Sequence, residues 1–264
     1  MSQVDGFAFL RALRKMNLQI SELDSEKPSL AGRPRKIVGR LEKLGVGLES
    51  TRPEAGQLSR HGFEVKTIFD VGVDAGTPFL YDAFPDTDFV LVDPISESEQ
   101  RVSAWADKIN YTFYCCALGD EEGEAEINLP TTTRRTAISR ASLEEFSDQY
   151  KENFESIEKR VVPVQTLDNI AANFEGPFGI KVDTEGFEMN VLAGAQECLS
   201  RTEFVIVEAS VRERFKNGYR FSELVGFLGK HGFEILEFLR PIRPNSADCD
   251  VLFARYDSKY FQLG

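Results

Sequence analysis

At 264 residues the chain suits one large domain, or one domain with an appendage, and it can bury most of its unfolded surface without a metal or disulfide staple. With 42% hydrophobic and 28% charged residues, four scattered cysteines and no apolar run approaching ~20 residues, composition argues against a disordered or disulfide-framed chain and against a membrane-spanning helix. The net charge of -12 is uneven: residues 1–60 hold eleven Lys/Arg against seven Asp/Glu, while the remainder holds twenty against thirty-six, so the body would repel a phosphate backbone and no nucleic-acid partner is expected. MSQVDGFAFLRALRKM has no basic head followed by an apolar core, so a secretory signal is not expected; with reduced thiols, this points to a cytoplasmic protein with no membrane partner.

The first sixty residues read as a helical segment set before a domain over 61–264. Phe7, Phe9, Leu10, Leu13 and Met16 form a helical stripe. Pro28, Gly32 and Pro34 then break it, and Ile37, Val38, Leu41 and Leu44 resume the period until Gly45 and Gly47 end it. Such a basic segment on an acidic body can dock on its own domain, on a second copy to give a homo-oligomer, or on an anionic substrate.

From Val65 the pattern changes to short apolar runs alternating with amphipathic ones. The predicted strands are Thr67–Val71, Phe89–Val92, Tyr111–Cys116, Phe178–Val182, Phe204–Val207, Phe233–Phe238 and Asp250–Ala254. Helices are predicted over Thr77–Phe84, Ser96–Ile109, Glu188–Leu199 and Ser222–His231. Strand–helix alternation predicts an α/β fold: a doubly wound, Rossmann-like, mostly parallel sheet of seven strands, with an antiparallel edge made by the last two. The stretch from Leu118 to Leu167 reads as an insertion, with a hairpin through Glu124–Leu129, an Arg-rich loop (TTTRRTAISR), a polar helix and a strand at Arg160–Val164. Pro163 argues that this last strand is an edge. Arg134, Arg135 and Arg140 in the loop are candidates for binding an anionic substrate.

The first chemical signal is TIFDVGVDAGTPFL: a strand ends near Asp70, Gly72 and Gly76 flank a short turn, and a helix begins. Glycine admits positive φ and lets a ligand approach backbone, and the helix start favours an anion. Asp93 ends the next strand 23 residues after Asp70, where an acid can accept both hydroxyls of a ribose. A helix cap before Pro94 is the structural alternative for Asp93. The spacing is D-x-G-x-x-x-G rather than the paired glycines of pyrophosphate binders, and Asp70 would repel a phosphate while suiting an amino group. S-adenosylmethionine, with an amino-acid tail, a ribose and no phosphate, is favoured over NAD.

The ordered set FDVGVDAG, VLVDP, CALGDEEGEAEI, VPVQTLDNI, IKVDTEGFEMNVLAGA and VIVEAS resembles the FkbM-type methyltransferases, a branch of the class I S-adenosylmethionine-dependent enzymes. The resemblance runs from about Lys66 to about Ala254 and implies O-methylation of a hydroxyl on a saccharide or small metabolite. It implies that Asp70, Gly72 and Gly76 hold the methionyl part, that Asp93, beside Pro94, holds the ribose, and that Cys116, Ala117 and Leu118 border the adenine. The chain departs from the family's common Asn at Asp74, and from its common Glu at Asp93. A carboxylate beside the cofactor's own carboxylate costs affinity unless it points away or meets the amino group.

IKVDTEGFE is the densest chemistry. Alternation puts Lys181 and Asp183 on one side, with Asp183 at the carboxyl end of the strand where ligands of open sheets bind. Glu185 and Glu188 follow, where acids also complement a helix dipole. Glu208, ending VIVEA, is expected at the same sheet edge. Asp183, Lys181, Glu185 and Glu208 are therefore the catalytic candidates, with Asp183, Glu185 or Lys181 as base, and Asp183 with Glu208 as the pair that would hold Mg²⁺ if any does. His61 and His231 fall away from this edge. Cys115 and Cys116 read as strand core. Rival readings are a non-catalytic binding or assembly domain of the same fold, motivated by Asp74 and the basic leader, and an NAD-linked oxidoreductase.

Overall fold

The structure is a computed structural model that describes residues 52–132, 135–240, 242 and 246–262. The chain divides into two units, Met1–Glu49 and Ser50–Gly264, and every described residue lies in the second. The helical reading of the leader, and the role expected of Arg134, therefore fall outside the described residues.

After a short helix α1 (Ala55–Ser59) come β1 (Thr67–Val71), α2 (Pro78–Ala83), β2 (Asp88–Val92), α3 (Ser96–Val102) and β3 (Asn110–Tyr114). The insertion supplies β4 (Ala117–Leu118), β5 (Gly123–Thr132), β6 (Arg135–Thr136), α4 (Asp148–Lys151) and β7 (Ser156–Gln165). Then follow α5 (Leu167–Ala171), β8 (Phe178–Val182), α6 (Glu188–Ala193), α7 (Gln196–Ser200), β9 (Thr202–Ser210), α8 (Phe221–Lys230), β10 (Phe233–Phe238) and β11 (Asp248–Arg255).

The main sheet has seven strands in the order β10-β11-β9-β8-β1-β2-β3. Its β3, β2, β1, β8 and β9 are parallel, and β11 pairs antiparallel with both β9 and β10. This is the expected doubly wound sheet with an antiparallel edge. The central strands β1 and β8 are buried at every residue, which is why they carry no polar alternation. Period two still sorts their side chains. Phe69, Val71, Phe178, Ile180 and Val182 join Leu167, Val191, Leu192 and Leu228 on one face. Ile68, Phe89, Leu91, Phe204 and Ile206 join Leu58, Leu80, Tyr81 and Val102 on the other. Leu58 is fully buried in that second layer, and Gln57 bonds the Leu239 carbonyl at 3.0 Å, so α1 packs on the sheet although it lies in the stretch read as leader.

Three local expectations are corrected. The predicted strand Tyr111–Cys116 ends at Tyr114, and Cys115 is exposed while Cys116 is buried, so only Cys116 belongs to the interior. The predicted helix Glu188–Leu199 is two helices, broken at Gly194 and Ala195. A Cβ at Gly194 would lie 2.0 Å from the Gly119 carbonyl oxygen, and that approach bends the chain. The Arg160–Val164 strand is ten residues long and lies inside a second, four-stranded sheet, β4-β7-β5-β6. Its pairing with β4 starts only at Val164, so Pro163 sits where β7 still has a single partner, β5. A proline tolerates that position for the same reason it tolerates an edge. Ile127, Leu129, Val162 and Val164 close this sheet over Ile95 and Ala117.

Candidate active site

In the main sheet the strand order reverses between β1 and β8, and crevices in open α/β sheets form at that switch point, beyond the carboxyl ends. Here the crevice is a cavity of about 270 Å³. Gly72 to Asp74 leave β1 on one wall, Asp93 to Ile95 leave β2, Asp183 to Glu185 leave β8, and Glu208 projects from β9. The insertion contributes Ala117, Leu118, Ile127, Ile138, Ala141 and Leu143, with Ser139, so its share of the lining is mostly apolar. Five acids line the cavity, and among the described residues no Lys or Arg does.

The turn after β1 is shaped by the protein's own contacts. Gly72 has φ 76, and a Cβ there would sit 1.7 Å from the Asp183 carbonyl oxygen. Gly76 has φ 102, and a Cβ would meet the Trp105 indole at 2.3 Å, while that indole donates to the Ala75 carbonyl at 2.9 Å. Asp74 (φ 46) and Glu185 (φ 52) are the non-glycine residues with positive φ among those described, and both line the cavity. Such backbone is costly for these residue types and gathers at functional sites.

Asp93 accepts from the Asp74 N–H and the Ile95 N–H, each at 2.9 Å. Burial pushes its carboxyl up, against the lowering effect of those amides. Asp93 also lines the cavity. Asp74 forms an ion pair with Arg101 of α3. Pro94, Cys116, Ala117 and Leu118 also line the cavity, next to Ile95.

Asp70 is elsewhere. It lies inside β1, one residue before the strand end, so the pleat turns it under α2 and off the cavity wall. Fully buried, it accepts from Tyr81 Oη at 2.7 Å and Thr77 Oγ1 at 3.1 Å. Lys181 shares that layer. Its ammonium lies 3.0 Å from Asp183 and 3.6 Å from Asp70. Burial alone would lower its pKa, but the two carboxylates raise it well beyond the ordinary value, so Lys181 stays charged and does not act as a base.

Asp183 is half-buried and faces the cavity. Burial works to raise its carboxyl, but the Lys181 ammonium and hydrogen bonds from Lys181 and Glu208 outweigh it, and the group stays below the usual range. Glu208 goes the other way: burial and the charges of Asp183 and Glu185 hold it well above the carboxylate range, so it is protonated at neutral pH and donates to Asp183. Arg240 donates to Glu208 at 3.1 Å. Glu185 receives a 2.6 Å bond from Arg214. Burial pushes its carboxyl up, Arg214 works to lower it, Asp183 raises it further, and the result is about 7. Glu188, the other acid of this segment, is inside the fold, where it accepts from the Thr184 and Gly186 amides at 3.0 and 2.9 Å and braces the turn.

The structure thus brings Asp183, Glu185 and Glu208 to one cavity with Gly72, Gly76, Asp93, Pro94, Cys116, Ala117 and Leu118, and leaves Asp70 and Lys181 behind its wall. His61 bonds Glu237 and His231 the Phe227 carbonyl, both away from the cavity. Arg140 is exposed and off the wall. Sequence reasoning missed Arg101, Arg214 and Arg240. Each reaches an acid 27 to 32 residues away in sequence, and no local pattern announces such a pairing.

Asp183, Glu185 and Glu208 also present oxygens within 4.8 Å of one another, a spacing that a divalent ion could bridge. The donor set does not suit one: each carboxyl already faces a cation, namely Lys181, Arg214 and Arg240. Activity is therefore expected to be unchanged by EDTA. Loss of rate on chelation, restored by Mg²⁺, would show that the arginines yield to a metal.

Residues 70–235, well over half of the chain, match the methyltransferase FkbM domain family. No curated protein matches. Among solved structures, the chain is similar to a TehB-like SAM-dependent methyltransferase from Corynebacterium glutamicum, at 10% identity and a TM-score of 0.39 over 84% of this chain and 95% of that one. It is also similar to the 1,6-didemethyltoxoflavin-N1-methyltransferase of Burkholderia thailandensis, at 12% identity and 0.37 over 97% and 92%. A third is the magnesium protoporphyrin IX methyltransferase of Synechocystis PCC 6803, at 9% identity and 0.43 over 96% and 92%. With the family match running from the end of β1 through the cavity and the acid-bearing turns, the chain belongs to the methyltransferase FkbM domain family.

Proposed function

We propose that this methyltransferase acts on a hydroxyl of a small metabolite or saccharide, with Glu185 as the base. The observation that carries the reading is the Glu185 carboxyl, held at about 7 in the cavity wall beside Asp183, whose own carboxyl the Lys181 ammonium holds below the usual range. A hydroxyl must lose its proton as it is methylated, and a base is most effective when its pKa lies near the working pH. When bound, S-adenosylmethionine supplies an electrophilic methyl group on a sulfonium.

The wall's chemistry supports that cofactor. Asp93 would accept from the ribose hydroxyls, Ile95, Cys116 and Leu118 would face the base, and the acids at β8 and β9 suit a positively charged sulfur. Glu185 takes the hydroxyl proton. Asp183 accepts a hydrogen bond from the acceptor and orients it, while the proton on Glu208 and the Lys181 ammonium hold Asp183 in place. Five acids on the wall favour a neutral or polyhydroxy acceptor over an anionic one. The apolar residues of the insertion keep water from the reacting groups.

The test is formation of S-adenosylhomocysteine from S-adenosylmethionine across a panel of sugars, glycosides and hydroxylated aromatics, with amines and carboxylates as controls. Methylation confined to amines would overturn the hydroxyl reading. For the cofactor, Asp93→Ala is expected to weaken S-adenosylhomocysteine binding by about 1–3 kcal/mol, because the ribose loses a charged acceptor. Calorimetry reads this directly, and unchanged affinity in a folded variant would remove Asp93 from the ribose site.

A further inference from the structure

A second cavity, of about 380 Å³, opens on the loop between β9 and α8. That lies within the range of ~300–1,000 Å³ usual for small-ligand sites. It meets the candidate active site at one turn: Glu185 lines the first cavity, and the next residue, Gly186, lines this one. The charge is opposite. Arg212, Arg214, Lys216 and Arg220 line the second cavity against a single acid, Glu213, whereas the first is lined by five acids and, among the described residues, by no Lys or Arg.

Two of these cations are already engaged. Arg214 donates to Glu185 at 2.6 Å and to Ser210 Oγ at 3.0 Å, and Lys216 donates to Glu145 at 2.8 Å. Arg212 and Arg220 are exposed, and among the described residues neither guanidinium has an ion-pair partner. Arg214 supplies a second, independent observation. Its side chain is 4% exposed, and its Nε is buried with no hydrogen-bond partner. A buried donor left unmade is costly, and this one belongs to a residue of the cavity wall. Arg220 and Phe221 also bring the start of the ten-residue helix α8 to the wall, where the positive end of its dipole adds to the field. Phe215 and Tyr219 line the cavity too, and low-dielectric walls focus such a field. Four cations against one acid repel one another, and a bound anion offsets that repulsion.

We infer that this second cavity binds the phosphate or carboxylate group of a small ligand, with Arg212 and Arg220 as its principal holders and Arg214 behind them. A group that the acids of the first cavity repel is accepted one residue further along the chain. Two sources share this chemistry: the far end of an acceptor whose neutral hydroxyl enters the first cavity, which rests on the hydroxyl reading above, or a free anionic metabolite, which does not.

Calorimetry on the full chain with inorganic pyrophosphate and with citrate tests it. Arg212→Ala combined with Arg220→Ala is expected to weaken binding of both probes roughly 10- to 100-fold, the worth of a charge-assisted bond. Both side chains are exposed, so the fold should be unaffected, and the melting temperature checks this. Glu213→Gln should tighten binding by removing the one acid of the wall. Lys66→Ala combined with Lys259→Ala, which changes lysines lining a different cavity, should leave affinity as it is. A wild-type chain that binds neither probe would overturn the inference. So would unchanged affinity in the arginine variant, or an equal loss in the lysine variant. Initial rates with paired acceptors, the same hydroxyl compound with and without a phosphate or carboxylate, separate the two sources. A preference for the anionic member that the arginine variant loses assigns the group to the acceptor; equal use of both, with pyrophosphate still bound, assigns it to a free metabolite. A chain that binds pyrophosphate but methylates no hydroxyl compound would overturn the hydroxyl reading and leave the anion site standing.

Discussion

Glu185→Gln is expected to lower turnover on the order of 10²–10⁴-fold while leaving S-adenosylhomocysteine affinity nearly unchanged. Glutamine keeps the shape and an acceptor for Arg214 but cannot take a proton. The wild-type pH profile carries the same information. Burial and the Asp183 charge hold the Glu185 carboxyl near 7, and its active form is the deprotonated one. The rate should therefore rise as pH passes from about 6 to 8, and fall as the carboxyl is protonated below that. The variant should lose this rise along with its rate. Initial rates across that range, at saturating cofactor and with an acceptor from the panel above, decide it. A folded Glu185→Gln enzyme with the wild-type rate and slope would exclude Glu185 as base.

Asp183→Asn is expected to cost a similar 10²–10⁴-fold in rate, for a different reason. Asparagine keeps size and hydrogen bonding but removes the charge that orients the acceptor and pairs with Lys181. Lys181 retains Asp70 at 3.6 Å, so the fold should survive with a lowered melting temperature. The two variants are told apart by pH. Asp183 raises the Glu185 carboxyl, so without that charge the rising limb should persist but move to lower pH. Near wild-type turnover in folded Asp183→Asn, with an unmoved limb, would leave Asp183 as a partner of Lys181 and no more.

The sheet was legible because its central strands are chemically simple. TIFDV and FGIKV are covered on both faces, and uninterrupted burial writes itself as an uninterrupted apolar run. The acids just past such runs were legible as site residues for the same reason: Asp93 follows β2 and Asp183 follows β8, beyond the ladder, where the chain is free to face the crevice. Asp70 looked equivalent in sequence, but it lies one residue inside β1, and the pleat turns it under α2. A single position decides between a ligand-facing and a buried carboxylate, and strand ends cannot be read that finely from apolar patterning. Pro163 was misjudged on similar grounds, because sheet order depends on where β4 begins pairing. Tertiary structure alone decided the charges of the site. Asp183, Glu185 and Glu208 are identical in kind, yet one is held ionised, one near neutrality and one protonated, according to which of Lys181, Arg214 and Arg240 the packing brings to it and how deeply it is buried. Proton affinity is set by solvent exclusion and by charges a few ångströms away, and those neighbours come from strands and loops remote in sequence.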